Sequence, residues 1–431
     1  MSKIISFNEK REKIHYYLLF SFLLLVLVVL YFNMQRDTQK DKVILIGIDA
    51  ADWYFINPLL REGKLPNLHS LLQNASYGNL STVTREPYGG APMQWTSVAT
   101  GKTYEKHGIT DYYQYPGLNS KMRKTKAIWN ILSENDIKVG IVGWWATWPA
   151  EKVNGYLASS YVKYKAEPPN ITLTKNEKLQ LTYTGTIYAS SGLNQTYPQS
   201  FYHRIEPIIK EKENIPDSEI NLHFKNLSKI REREIFYDIK WNYISNEIFS
   251  SIGKLFLNDS TLDFISIIEH GIDVAFHRTD VANPDLANLL DDYYIYIDEK
   301  IGESLNYVDE NVTFIIVSEH GHNGPKDHIF MAIDGIIIVK GPNIKKNHKI
   351  ENASVVDIAP TILYLFDLPI PMDIDGKVLL DIFDGIYIKN HPIKYIDSYD
   401  TKNSQSYFNM SYCPFDEEIY KRVKKIGYFE N

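Results

Sequence analysis

K-V-I-L-I-G-I-D-A-A-D, residues 42–52, is the stretch whose reading decides the fold. After Lys42 the run is apolar through Ile48, with no polar alternation to mark a solvent face. A strand of this kind is buried on both faces, as in a parallel sheet. It ends on Asp49. Residues 66–73, with Pro66 in the first turn, read as a following helix. The same kind of run returns as I-K-V-G-I-V-G at 137–143, L-D-F-I-S-I-I at 262–268, V-T-F-I-I-V-S at 312–318 and G-I-I-I-V-K at 335–340. Helical patterns at 286–308 and 355–366 lie between or after these strands. The alternation predicts a doubly wound, mostly parallel α/β sheet. In such sheets ligands bind beyond the carboxyl ends of the strands.

At 431 residues the chain is long for a single core, so a main domain carrying an insertion is expected. A net charge of −7 and the absence of a basic run argue against nucleic acid as a partner. Cys413 is the only cysteine, which excludes an intrachain disulfide and a thiolate metal site. Residues 16–32 are apolar and aromatic without a charge, and Lys3, Lys10, Arg11 and Lys13 precede them. The run reads as an uncleaved single-pass membrane anchor with its N-terminus inside and the rest of the chain outside the cytoplasm. Residues 1–41 are then a cytoplasmic tail, transmembrane helix and linker. Residues 42–163 and 255–385 form two parts of a catalytic core. Between them 164–254, richer in Lys, Glu, Asn and Pro, reads as an inserted cap over the site, with helical patterns at 202–212 and 220–251. Residues 386–431 form a polar tail with a helix at 417–425.

Residues 85–109, R-E-P-Y-G-G-A-P-M-Q-W-T-S-V-A-T-G-K-T-Y-E-K-H-G-I, read as a glycine loop turning into a helix. Gly89 and Gly90 permit close backbone approach, Pro92 suits the first helical position, and 94–102 continue as two turns. The N-terminus of such a helix is a seat for a phosphate. Titratable groups collect at the strand ends: Asp49 after the first strand and Glu269-His270 after the third. Asp273 and His277 follow one helical turn apart, Glu319-His320-Gly321-His322 close the fourth strand, and His328 lies in the next loop. Carboxylate and imidazole ligands at three strand ends point to two divalent cations, zinc or manganese, clamping a phosphoryl group.

Together these motifs resemble the alkaline phosphatase superfamily, in its branch of type I phosphodiesterases and nucleotide pyrophosphatases. The resemblance rests on I-G-I-D-A-A-D (46–52), W-T-S-V-A-T-G-K (95–102), K-H-G-I (106–109) and G-W-W-A-T-W-P-A (143–150). It continues in H-G-I-D-V-A-F-H (270–277), V-S-E-H-G (317–321), S-V-V-D-I-A-P-T-I-L (354–363) and D-I-D-G-K (373–377). It implies one cation on Asp273, His277 and His328, and a second on Asp49, Glu319 and His320. It also implies a Ser or Thr nucleophile at the start of the phosphate-seat helix, flanked by Gly90 and Pro92 as substrate-binding positions. The expected activity is hydrolysis of a phosphate ester or phosphodiester, with a small-molecule, lipid or nucleotide phosphate ester as substrate.

Two residues depart from the family pattern. Ala91 stands at the nucleophile position, and Thr96 and Ser97 lie roughly 8 Å further down the helix at about 1.5 Å per residue. Thr84 and Tyr88 are the hydroxyls just upstream. Glu319 replaces the family's Asp and moves the carboxylate outward by about 1 Å, a shift that catalytic geometry registers. The alternative reading is therefore a pseudoenzyme, a binding or scaffold protein that keeps the fold.

Overall fold

The computed structural model describes residues 20–22, 24, 42–83, 90–110, 119–163, 165–166, 188–189, 194–225, 227, 233–279, 286–322 and 334–400. The chain divides into two compact units, residues 1–41 and 42–431. In the first, residues 20–22 and 24 are helical and exposed. Among the described residues no helix is long and apolar enough to cross a membrane; most of the run at 16–32 lies outside them. The tail helix expected at 417–425 lies outside them as well, as do Thr84 and Tyr88.

The second unit is built on a sheet of nine strands: β1 (Lys42–Ile48), β2 (Ser76–Ser81), β3 (Val139–Val142), β4 (Gly155–Ala158), β5 (Thr196–Tyr197), β6 (Phe264–Glu269), β7 (Val312–Val317), β8 (Gly335–Lys340) and β9 (His348–Ser354). Their order is β9-β2-β8-β7-β1-β6-β3-β4-β5. Only β5 and β8 run against their neighbours, so the sheet is mostly parallel as expected. Strand β1 sits near the middle, between β6 and β7, with Ile48 opposite Glu269 and Gly47 opposite Val317. The period of two in a strand sorts its side chains between the layers. Ile44, Ile46 and Ile48 enter one buried cluster, and Val43 and Leu45 enter the cluster on the other face.

Helices α1 (Trp53–Arg61), α2 (Pro66–Leu72), α5 (Tyr202–Glu213), α6 (Arg233–Leu257), α7 (Ile272–Arg278) and α8 (Leu289–Leu305) contribute to the first cluster. Helices α3 (Gly90–Thr100), α4 (Ile128–Glu134) and α9 (Ile358–Leu365) cover the second face. Each fully buried Ile, Leu or Phe in these layers contributes about 1.5–3 kcal/mol, offset by the entropy of ordering the chain. Within the stretch read as a cap, 164–254, β5 lies in the sheet and Phe201, Ile205, Ile209, Ile220 and Phe224 enter the first cluster. Ile244, Ile248, Phe249, Ile252 and Phe256 of α6 recur at helical spacing and join Ile265 and Ile267 of β6 in one core. At Gly253 a Cβ would run into Ile267, so the helix lies directly on the sheet. The sequence expectation for α3 also shifts: it starts at Gly90, with φ +74°, so Ala91 and Pro92 lie inside its first turn.

Candidate metal centre

The parallel register brings the turns after β1, β6 and β7 out side by side, and each turn is pinned by contacts distant in sequence. The Asp49 N–H donates to the Glu269 carbonyl at 3.0 Å. Ala50 follows at φ +64°, a left-handed conformation that a residue with a Cβ adopts at a cost. The Ala51 N–H donates to Ser318 Oγ at 2.8 Å, and that hydroxyl donates to the His320 carbonyl at 2.8 Å. Asp52 serves two elements. Its Oδ1 accepts from Tyr54 N–H and Phe55 N–H, capping α1, and its Oδ2 accepts from His322 N–H at 2.6 Å.

Two donor groups result, Asp49/Glu319/His320 and Asp273/His277/His322, each with ligand atoms close enough to share one ion. In the first, His320 Nε2 lies 3.7 Å from Asp49 Oδ1 and 3.4 Å from Glu319 Oε1. In the second, Asp273 Oδ1 lies 3.5 Å from His277 Nε2 and 2.9 Å from His322 Nε2. The i, i+4 spacing on α7 places Asp273 and His277 on one face. The His322 ring stacks on Phe276 with centroids 3.7 Å apart and planes within 6°. His320 and His322 rings are 5.5 Å apart, so the two groups adjoin.

The expected ligands Asp49, Glu319, His320, Asp273 and His277 are thus brought together. His328 lies outside the described residues, and His322 stands in the second group with Asp273 and His277. Its signal was the second histidine of E-H-G-H, which sequence alone could equally place in a polar turn. His270 and Asn246 were also missed as site residues. His270 Nδ1 lies 3.0 Å from Asp49 Oδ2, and Asn246 Oδ1 accepts from the His270 N–H at 2.9 Å.

Electrostatics set these groups apart from the bulk of the protein. Burial, with the Asp49 carboxylate beside it, pushes Glu319 well above the usual carboxylate range. Burial also opposes the charge of Asp273, but the His277 and His322 imidazoles outweigh it and hold that carboxyl well below the usual range. Burial lowers His322 against the pull of Asp273, and Glu269, beneath the site, is pushed well up by burial. Asp49 Oδ1 and both Glu319 oxygens are buried without a hydrogen-bond donor among the described residues. Lone carboxylate oxygens turned together at such a point could hold a cation, whose charge would reverse the local repulsion.

Helix α3 lies over the end of β1. A Cβ on Gly47 would meet the Trp95 ring at 2.6 Å, so the glycine permits that close approach. Trp95 packs edge-on against Trp144, which packs on Trp129, in a fully buried set. The K-H-G-I motif braces the same helix: Ile109 N–H donates to His107 Nδ1 at 3.1 Å, so the proton sits on Nε2, 3.0 Å from Ser97 Oγ. Burial, reinforced by the Arg123 guanidinium, pushes His107 down to about 3. Gly90, Ala91 and Pro92 are buried in the first turn of α3, and Ala91 is fully enclosed.

Residues 43–365 match the family described as type I phosphodiesterase / nucleotide pyrophosphatase. No curated protein matches the chain significantly. Among solved structures, human ectonucleotide pyrophosphatase/phosphodiesterase 5 is 13% identical at a TM-score of 0.47, over 80% of this chain and 100% of that one. An inactive form of the murine protein in complex with AMP is 12% identical at 0.44, over 80% and 100%. A putative sulfatase from Bacteroides thetaiotaomicron is 10% identical at 0.46, over 84% and 76%. Because the family match runs over about three quarters of the chain, from β1 through β9 and both donor groups, the chain belongs to the type I phosphodiesterase/nucleotide pyrophosphatase family.

Proposed function

We propose that the chain is a metal-dependent hydrolase of phosphoric esters, a phosphodiesterase by class, acting on a small-molecule, lipid or nucleotide phosphate ester. The observation that carries this reading is the adjoining pair of buried donor groups beyond the ends of β1, β6 and β7. Carboxylate and imidazole donors without a thiolate suit zinc or manganese. Divalent cations held there would supply positive charge to stabilise the attacking and leaving oxygens of a phosphoryl group. Asp49, Glu319 and His320 would hold one, and Asp273, His277 and His322 the other. The first turn of α3, with Gly90 and Pro92, presents the positive end of its dipole to a bound phosphate. The Ala91 methyl carries no nucleophile, so the attack in this chain falls to water or to a hydroxyl outside α3. The membrane anchor at 16–32 belongs to the same reading. Its support is the basic residues that precede it.

The test is turnover of bis(p-nitrophenyl) phosphate by the full chain with added Zn²⁺ or Mn²⁺. Turnover should fall at least about 100-fold in both Asp273→Ala and His277→Ala, since each removes a cation ligand. Equal turnover in wild type and both variants would sink the proposal. The enclosed Ala91 and the replacement of Asp by Glu319 favour a second reading, a binding or scaffold protein. A chain that holds two cations by elemental analysis and yet shows no turnover above the metal-only blank would favour it.

A further inference from the structure

We propose that His270 is a positioning residue for the Asp49 carboxylate and that Asn246 holds it in place for that task. The inference rests on the two-cation reading above. The two oxygens of Asp49 meet different surroundings. Oδ2 lies 3.0 Å from His270 Nδ1, whereas Oδ1 is buried without a hydrogen-bond donor among the described residues and lies 3.7 Å from His320 Nε2. A carboxylate rotates about its Cβ–Cγ bond unless one oxygen is tied. With Nδ1–H donating to Oδ2, the plane of the group is fixed and the lone pairs of Oδ1 face Glu319 and His320. Carboxylate ligands depend on hydrogen bonds of this kind from beyond the ligand set.

His270 is itself held from several sides. Its N–H donates to Asn246 Oδ1 at 2.9 Å, and Asn246 Nδ2 donates back to the His270 carbonyl. Both groups come from the amide of one side chain on α6, so the histidine backbone cannot shift without breaking two bonds. Trp145 meets the imidazole edge-on at 5.5 Å and Phe249 at 5.9 Å. Gly271 then leaves the site at φ +120°, where a Cβ would collide with the Tyr293 hydroxyl. Neither donor group includes His270. The ring is buried, its backbone is fastened and one nitrogen addresses a cation ligand: this is the placement of a brace.

Titration of the full chain with Co²⁺, read by its visible absorption and checked by competition with Zn²⁺, tests the role. His270→Ala should weaken one of the two cations about 10–100-fold and change the cobalt spectrum of that site, leaving the other unchanged. His270→Asn, whose amide N–H reaches the place of Nδ1, should return affinity and spectrum most of the way. A His270→Ala chain that binds both cations with wild-type affinity and spectrum would overturn the positioning role while leaving the two-cation reading intact. A loss that Asn does not relieve would also overturn it. Should His270→Ala fail to fold, His270→Gln displaces the donor by one methylene and is read in the same way. A wild-type chain that takes up no cobalt would overturn the two-cation reading, and the brace with it.

Discussion

At the scale of single residues, His107 shows how a motif that looks chemical can be structural. Its ring is buried, accepts from a backbone N–H and meets Ser97 of α3. The sign of its pH effect follows from the direction of its shift. An unfolded histidine titrates near pH 6.5, and the folded one only near about 3, so below pH 6.5 the unfolded chain takes up the proton first. The stabilisation is therefore whole above about pH 6.5 and declines as pH falls toward about 3, by about 1.4 kcal/mol per unit. Denaturant unfolding at pH 7 and pH 5 checks this: wild type should lose about 2 kcal/mol more over that interval than His107→Gln, and equal losses would refute it. Residue identity alone exposed Asp49, Asp273, His277, Glu319 and His320, because each falls at or just after the end of an apolar run. His322 and His270 also stood out at strand ends, but their roles were not legible. The place of His322 depends on the Asp52 carboxylate holding its backbone N–H, 270 positions away. That of His270 depends on β1 and β6 being neighbours.

At the scale of elements, legibility follows burial. Strands β1, β6, β7 and β8 are buried almost throughout and print continuous apolar runs. Strands β2 and β9 carry polar residues on an exposed side, and β5 has two residues, so their sequences give little signal. Helix α6 was legible as a helix but not as part of the core, since its position on the sheet is decided by Gly253 and the facing Ile267. The approach of α3 to β1 gives a prediction at this scale. Gly47→Ala places a methyl where the Trp95 ring lies, and overpacking of that kind costs about 1–3 kcal/mol. The melting temperature should fall, with near-ultraviolet dichroism of the Trp95–Trp144–Trp129 set altered. An unchanged spectrum and melting point would mean that α3 yields at no cost.

At the scale of the whole molecule, the unit built on the nine-stranded sheet closes on itself through a few long-range ties. Lys102, just past α3, is buried and pairs with Asp373 at 2.6 Å and Asp400 at 2.8 Å. Burial alone would lower its pKa, but the two carboxylates outweigh it and raise it. Lys102→Met removes the cation between two acids. It should cost about 2–3 kcal/mol, less than a fully buried pair because Asp373 is partly exposed, with the denaturant midpoint as the measurement. An unchanged midpoint would show that the C-terminal segment is held by other contacts.

The place of β1 in the sheet has a consequence for how the protein is made. The strand leaves the ribosome long before its hydrogen-bonding partners, which begin at Phe264 and Val312, roughly 220 and 270 residues later. At about 5–20 residues per second, that interval lasts roughly 10–50 s. Throughout it a bare run of Val, Ile and Leu, with both edges unpaired, stands in a growing chain. Only when β6 and β7 emerge to flank it does that strand gain its native neighbours on both sides.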